Sequence, residues 1–198
     1  MYDGKIGLYL LEKIEESREA ITEREYDVAI RFLNQALTTI NDKREIYSEE
    51  GIKICKLLAL CYRKKNLLTE GIESLRMAEE LCRKLYLKGN GEKWRRELAV
   101  CYVNEAIVYD SQNQINKAIT LYESAIELFK DLKDDESTIK VMLSLCIAYS
   151  KIEHDDKVKR LYEEALNIIE NDFLLENYRM LFYKMKEDIL DKKEKDKC

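Results

Sequence analysis

The chain has 198 residues, 46% of them hydrophobic and 37% charged, which supplies both a core and a very polar surface and excludes general disorder. A formal net charge of -5 excludes long-range attraction of the chain as a whole to DNA, RNA or an anionic membrane. With no proline and only six glycines, long helices joined by short connectors are expected.

Apolar residues recur at helical spacing almost throughout, and the strict alternation of a strand is absent. The first stretch, MYDGKIGLYLLEKIEESREA, has a short apolar run from Ile6 to Leu11 that Gly7 interrupts. That run is too short for a signal peptide, and no window approaches the roughly 20 apolar residues of a membrane span. The chain therefore reads as soluble and cytoplasmic. Nine helices are expected, near 5–22, 26–41, 45–65, 68–87, 92–112, 115–132, 136–152, 155–170 and 174–191. Polar clusters separate them, among them Asn41-Asp42-Lys43, Lys64-Lys65-Asn66, Gln112-Asn113-Gln114 and His154-Asp155-Asp156. Gly89-Asn90-Gly91 is the strongest turn signal, because glycine and asparagine tolerate positive φ.

The helices pair. The second helix of each pair carries two mostly small residues seven apart that bracket a larger one: Ala29-Leu33-Ala36, Gly71-Leu75-Ala78, Ala118-Tyr122-Ala125 and Val158-Tyr162-Ala165. Nine residues before each set stands Ala20, Tyr62, Tyr109 or Tyr149, and three residues earlier again comes Ser17, Ala59, Ala106 or Cys146. The closing alanines are 42, 47 and 40 residues apart. Small side chains let two helices approach closely, and the tyrosine fills the space between them with its hydroxyl at the edge. One hairpin cannot bury its apolar face alone, so hairpins must stack.

This register resembles the tetratricopeptide repeat, in the segments LALCYRKKNLLTEGIESLRMA, EAIVYDSQNQINKAITLYESA and LCIAYSKIEHDDKVKRLYEEA. The spacing is longer than the usual repeat of about 34 residues and is similar to the extended repeats of kinesin light chains and bacterial Rap-type regulators. Ala20 stands where the family has tyrosine, and Glu105 occupies a usually apolar place. The resemblance implies an all-α, right-handed superhelical α-solenoid in a single domain, 1–191. Its repeats are 5–41, 45–87, 92–132 and 136–170, with a capping helix at 174–191. Leu174, Tyr178, Leu181, Phe182, Met185 and Ile189 are expected to form the stripe that the cap buries. The charged tail 192–198 is expected to be disordered.

No catalytic constellation is readable. The single histidine, His154, falls in a polar turn, GNGEKW lacks the spacing of a phosphate loop, and Asp134-Asp135 and Asp155-Asp156 sit where helices start. Cys55, Cys61, Cys82, Cys101 and Cys146 show no paired metal-ligand spacing and read as reduced core thiols. No recognised lipidation motif precedes Cys198. No enzyme activity, cofactor or metal is expected.

The resemblance places the first helix of each hairpin along a concave face where ligands lie. The family register assigns to it Arg18, then Lys53, Lys56, Leu60, Arg63 and Lys64, then Val100, Val103 and Ile107, then Lys140, Leu143, Ile147 and Lys151. The main asparagine slot holds Arg18, Leu60, Ile107 and Ile147, which does not support the family's carboxylate clamp. A face basic toward the N-terminal half and apolar toward the C-terminal half suits an amphipathic, acidic protein or peptide segment. The same apolar residues would also suit packing between helices, or burial under the cap or a second subunit in a homo-oligomer. The expected function is a protein-binding scaffold or adaptor that contacts neither nucleic acid nor membrane. The alternative is a peptide-responsive regulator of a transcription factor or response regulator, although no separate helical bundle or helix-turn-helix is readable in the chain.

Overall fold

The computed structural model describes residues 4–40, 48–87, 91–172 and 175–191. Among them run nine α-helices: α1 (Gly4–Thr22), α2 (Tyr26–Thr39), α3 (Ser48–Lys64), α4 (Leu68–Leu87), α5 (Gly91–Ser111), α6 (Ile115–Asp131), α7 (Asp135–Lys151), α8 (Asp155–Asn171) and α9 (Glu176–Lys186). A short π-helical turn, Glu187–Asp191, follows α9, and no strand occurs among the described residues. Asn41-Asp42-Lys43, Gly89-Asn90, Leu174 and the tail 192–198 lie outside the described residues; Gly91 opens α5. The helices fall into two compact units, Met1–Val108 and Tyr109–Cys198.

In the first unit, α1 and α2 close on Leu10, Ile14, Ala20, Ala29, Leu33 and Ala36, and Ile54, Leu58 and Cys61 of α3 complete that core. A second cluster joins α3, α4 and α5 through Ile52, Cys55, Ala78, Leu81, Cys82, Trp94 and Cys101. Each fully buried Leu or Ile side chain contributes about 1.5–3 kcal/mol. In the second unit α6 packs on α7 and α7 on α8, with Ala118, Ala125, Met142, Cys146, Val158 and Ala165 wholly buried. The repeat's small residues therefore lie at helix contacts, where larger side chains would hold the helices apart.

The capping stripe needs one correction. α9 packs on α8 and α7 through Leu175, Phe182 and Met185, whereas Leu181 is 48% exposed. Leu181 lies about 100° round the helix from Phe182, and the strip that α9 buries is too narrow to include it. Met180 and Tyr183 are exposed with it.

Five connections share one turn. Arg24, Asn66, Asn113, Lys133 and Glu153 have φ between 54° and 64°. The next residue's N–H then donates to the carbonyl five residues back: Glu25 to Ala20, Leu67 to Tyr62, Gln114 to Tyr109, Asp134 to Phe129 and His154 to Tyr149. This is the Schellman arrangement, which satisfies carbonyls at the helix end. Asparagine tolerates its left-handed residue, but arginine, lysine and glutamate are strained there.

Lys133→Gly should raise stability in urea denaturation by about 0.5–1 kcal/mol, since glycine relieves that strain. Gly71→Ala should stabilise by a similar amount. A Cβ there would meet Ala59 O at 3.6 Å and Tyr62 Cβ at 3.7 Å, which is ordinary contact, and alanine is the better helix former. Ala125→Leu, at a site with no exposed surface, should instead destabilise by about 1–3 kcal/mol.

Candidate functional site

A first helix must bury one side against its hairpin partner and the preceding hairpin, which leaves one strip outside the core. On α3 the buried side takes Ile52, Ile54, Cys55, Leu58, Ala59 and Cys61. Lys53 and Lys64 are left exposed, and Lys56, Leu60 and Arg63 half-buried. Arg18 is exposed on α1, and Val100, Val103 and Ile107 are half-buried on α5. These residues belong to the first unit. In the second unit α7 exposes Lys140, Ile147 (43%) and Lys151 and half-buries Leu143.

Lys56, Leu60 and Arg63 meet in one notch of about 20 Å³, together with Ala59, Leu75, Asn104 and Val108. That volume holds a single water, so the notch is a detail of a surface and not a ligand cavity. Asn104 was missed by the register because it sits one turn before the Ile107 slot. Its amide can donate and accept at once, which suits a peptide backbone.

Much of the expected positive charge is neutralised. Lys56 Nζ lies 2.5 Å from Glu97 Oε2, and Arg18 Nη1 lies 3.5 Å from Glu15 Oε2. In the second unit Lys140 pairs with Glu136 at 2.7 Å and Lys151 with Asp110 at 2.6 Å. Tyr178 of α9 also donates to Glu136, at 3.0 Å, and the Lys140 bond, then the Tyr178 bond, hold that carboxyl below its ordinary range. Lys53 and Lys64 have no ion pair among the described residues. The first hairpin also contributes apolar surface that the register-based reading overlooked. Leu11, 42 residues before Lys53, is 50% exposed, and Leu8 is 70% exposed. The N-terminal half thus combines these apolar side chains with Lys53, Arg63 and Lys64.

The second unit holds a cleft of about 470 Å³ between α6, α7 and α8. Tyr149 OH donates to Glu123 in its wall and accepts from Lys157 Nζ at 2.9 Å. Ile126, Leu145 and Leu161 line it as well.

The polar groups singled out in the sequence take up structural positions. His154 is exposed and stacks on Tyr149 with ring centroids 6.0 Å apart. Asp134 caps α7 by accepting from Ser137 N–H at 3.1 Å, and Asp155 and Asp156 occupy the first turn of α8. Burial pushes the Cys61 thiol up to about 11 and the Cys146 thiol up to about 12, so both are protonated and unreactive at neutral pH. Among the described residues no group of three His, Cys, Asp or Glu could hold a metal ion. No described helix is long and apolar enough to cross a membrane.

No family model matches the sequence, and no curated protein matches it. Solved structures do match in fold. A Rap protein complexed with competence and sporulation factor superposes with a TM-score of 0.76 at 17% identity, over 96% of this chain and 50% of that one. Aspartyl phosphate phosphatase F from Bacillus subtilis gives 0.76 at 15% identity, over 99% and 48%. The nearly identical TPR-like repeats of a putative kinesin light chain from Podosopora anserina give 0.69 at 14% identity, over 91% and 92%. The chain spans about half the length of the first two. At such identities the likeness is one of architecture: the fold is an all-α solenoid of tetratricopeptide type.

Proposed function

We propose that the chain is a non-catalytic scaffold or adaptor that holds a partner protein or peptide against the exposed strips of its first helices. The observation that carries this reading is the exposure of Leu8, Leu11 and Ile147 on those strips. These large apolar side chains contribute little to folding, and large apolar side chains left exposed together on one helix strip are characteristic of contact sites. Half-buried Leu60, Val103, Ile107 and Leu143 extend the strips within each unit. The preferred partner segment is amphipathic, with an apolar face for the strips and carboxylates for Lys53 and Lys64. Five buried free thiols suit a reducing compartment, and the reading places the chain in the cytoplasm.

The second reading is a peptide-responsive regulator. The solved complex of a Rap protein with competence and sporulation factor supports it, because the shared fold can present a surface to a signalling factor, and Asn104 offers an amide for a peptide backbone.

Ile107→Ala with Ile147→Ala should weaken capture of a partner from native lysate about tenfold or more, with helical circular dichroism unchanged. Capture by the wild type should survive high salt, since the strips are mainly apolar and exposed ion pairs are screened. Undiminished capture by the double variant would remove the reading, and so would unfolding, which would assign both residues to the core. As a packing control, Leu145→Ala should cost about 2–5 kcal/mol of stability and Ile147→Ala less than about 1 kcal/mol.

A further inference from the structure

Each hairpin is joined to the next where a second helix meets the following first helix, and one pair of residues recurs at the centre of that joint. Repeat spacing aligns Leu37 and Leu58 at the α2–α3 joint with Glu79 and Glu105 at α4–α5, and with Ile126 and Leu145 at α6–α7. Leu37 packs against the core cluster that contains Leu58, and Ile126 and Leu145 line one cleft together. Two joints are therefore apolar at this point. The third has two carboxyl groups.

Glu105 is only 6% exposed, and Glu79 stands close enough for the two carboxyls to hydrogen-bond once one of them is protonated. Two carboxylates cannot hydrogen-bond to each other without a proton between them. One oxygen of Glu79 is buried without a partner. The nearby cations compensate weakly. Arg76 Nε stands 3.8 Å from Glu105 with 65% of its own side chain exposed, and Arg83 donates to the Tyr102 hydroxyl at 2.5 Å. On α5, Cys101 feels the charge of Glu79 and Tyr102 that of both glutamates, and Cys82 on α4 and Lys56 on α3 act in turn on Cys101.

We infer that the α4–α5 joint is a proton-controlled latch, closed while Glu79 and Glu105 share a proton and loosened when both are ionised. Burial first, then the hydrogen bond and charge of Glu105, push the Glu79 carboxyl up to about 8, against the opposing pull of Arg83 and Arg76. A raised carboxyl favours the closed joint at low pH. Opening the joint returns Glu79 toward its ordinary value of 4.5 and releases the proton. The opening equilibrium therefore rises up to tenfold per pH unit from about pH 5 to about pH 8, and levels off above that. α5 also carries Val103, Asn104 and Ile107, so a loosened joint would displace one wall of the proposed binding strip. That consequence rests on the proposed function; the latch itself does not.

Hydrogen exchange of the full chain, corrected for its intrinsic rise with pH, tests the latch. Amide protection in α4 and α5 should fall as pH rises from 6 to 8, while protection in α7 and α8 stays level. Glu79→Ile with Glu105→Leu, the pair found at the α6–α7 joint, should abolish the slope, and Glu79→Gln alone should flatten it. Carboxyl carbon resonances of the wild type should include one glutamate titrating near 8. Uniform titration of every glutamate between 4 and 5, or an unchanged slope in Glu79→Gln, would overturn the proposal. Partner binding is read separately, so a latch without a binding effect would leave the joint standing and count only against the strip.

Discussion

Close approach between paired helices is the constraint on which the rest of the fold depends. Ala29, Ala36, Ala78, Ala118, Ala125 and Ala165 have no exposed surface at all, although alanine has the smallest apolar side chain to hide. Their role is to remove bulk. With bulk removed, helix backbones come near enough for Leu33, Leu75 and Tyr122 to sit fully or almost fully buried between them. The turns must then reverse the chain within three residues, which the repeated left-handed residue achieves at Arg24, Asn66, Asn113, Lys133 and Glu153. Three of those five residues are poorly suited to that conformation, so the packing on either side must hold the turn.

The same packing rule explains why equivalent positions differ. On α3, Gly51, Ile54, Cys55, Leu58 and Cys61 are buried, and in the same register α1 has Tyr9, Glu12, Lys13, Glu16 and Glu19. α1 thus offers charge where α3 offers apolar surface to α2, which makes the outer side of the first hairpin compatible with water. α9 is different, because its outer side keeps Met180, Leu181 and Tyr183 exposed. The Glu79–Glu105 joint breaks the rule in the interior, where a buried polar pair replaces an apolar one. Such a substitution weakens a joint unless a proton or a cation accompanies it.

The architecture was legible in the sequence because it follows from periodicity. Helix boundaries fell within three residues of their positions wherever they are described, apart from the end of α9, where a π-helical turn takes over at Glu187, since polar clusters mark places where no side chain needs to be buried. Sites that depend on pairing across helices were less legible. Glu105 stood out as a carboxylate in an apolar slot, but its partner Glu79 lies 26 residues away on α4 and becomes visible only once α4 and α5 are packed. Leu11 shares a register position with Lys53, so aligning the repeats could have found it. Arg18 and Lys56 read as free positive charge because their partners Glu15 and Glu97 are not marked as partners by the sequence. Leu181 has the spacing of the capping stripe, but the strip that α9 buries is too narrow to reach it.

Folding and binding make separate demands on a first helix, and this separation explains why the partner's identity is harder to read than the fold. The buried side of α7 is constrained by volume, since Ile139, Met142, Leu145 and Cys146 leave almost no surface. Its exposed strip is constrained by nothing in the fold: Ile147 could be serine, like Ser144 one turn earlier, without opening a cavity. An isoleucine kept in water there makes a hydration penalty persist that folding does not remove. Contact with another surface removes it. Solved structures of similar fold carry names as different as an aspartyl phosphate phosphatase, a Rap protein complexed with competence and sporulation factor and a putative kinesin light chain, which is what a fold that constrains only one side of each helix permits. The strips are thus the part of each first helix whose side chains are free to change while the alanines behind them are not.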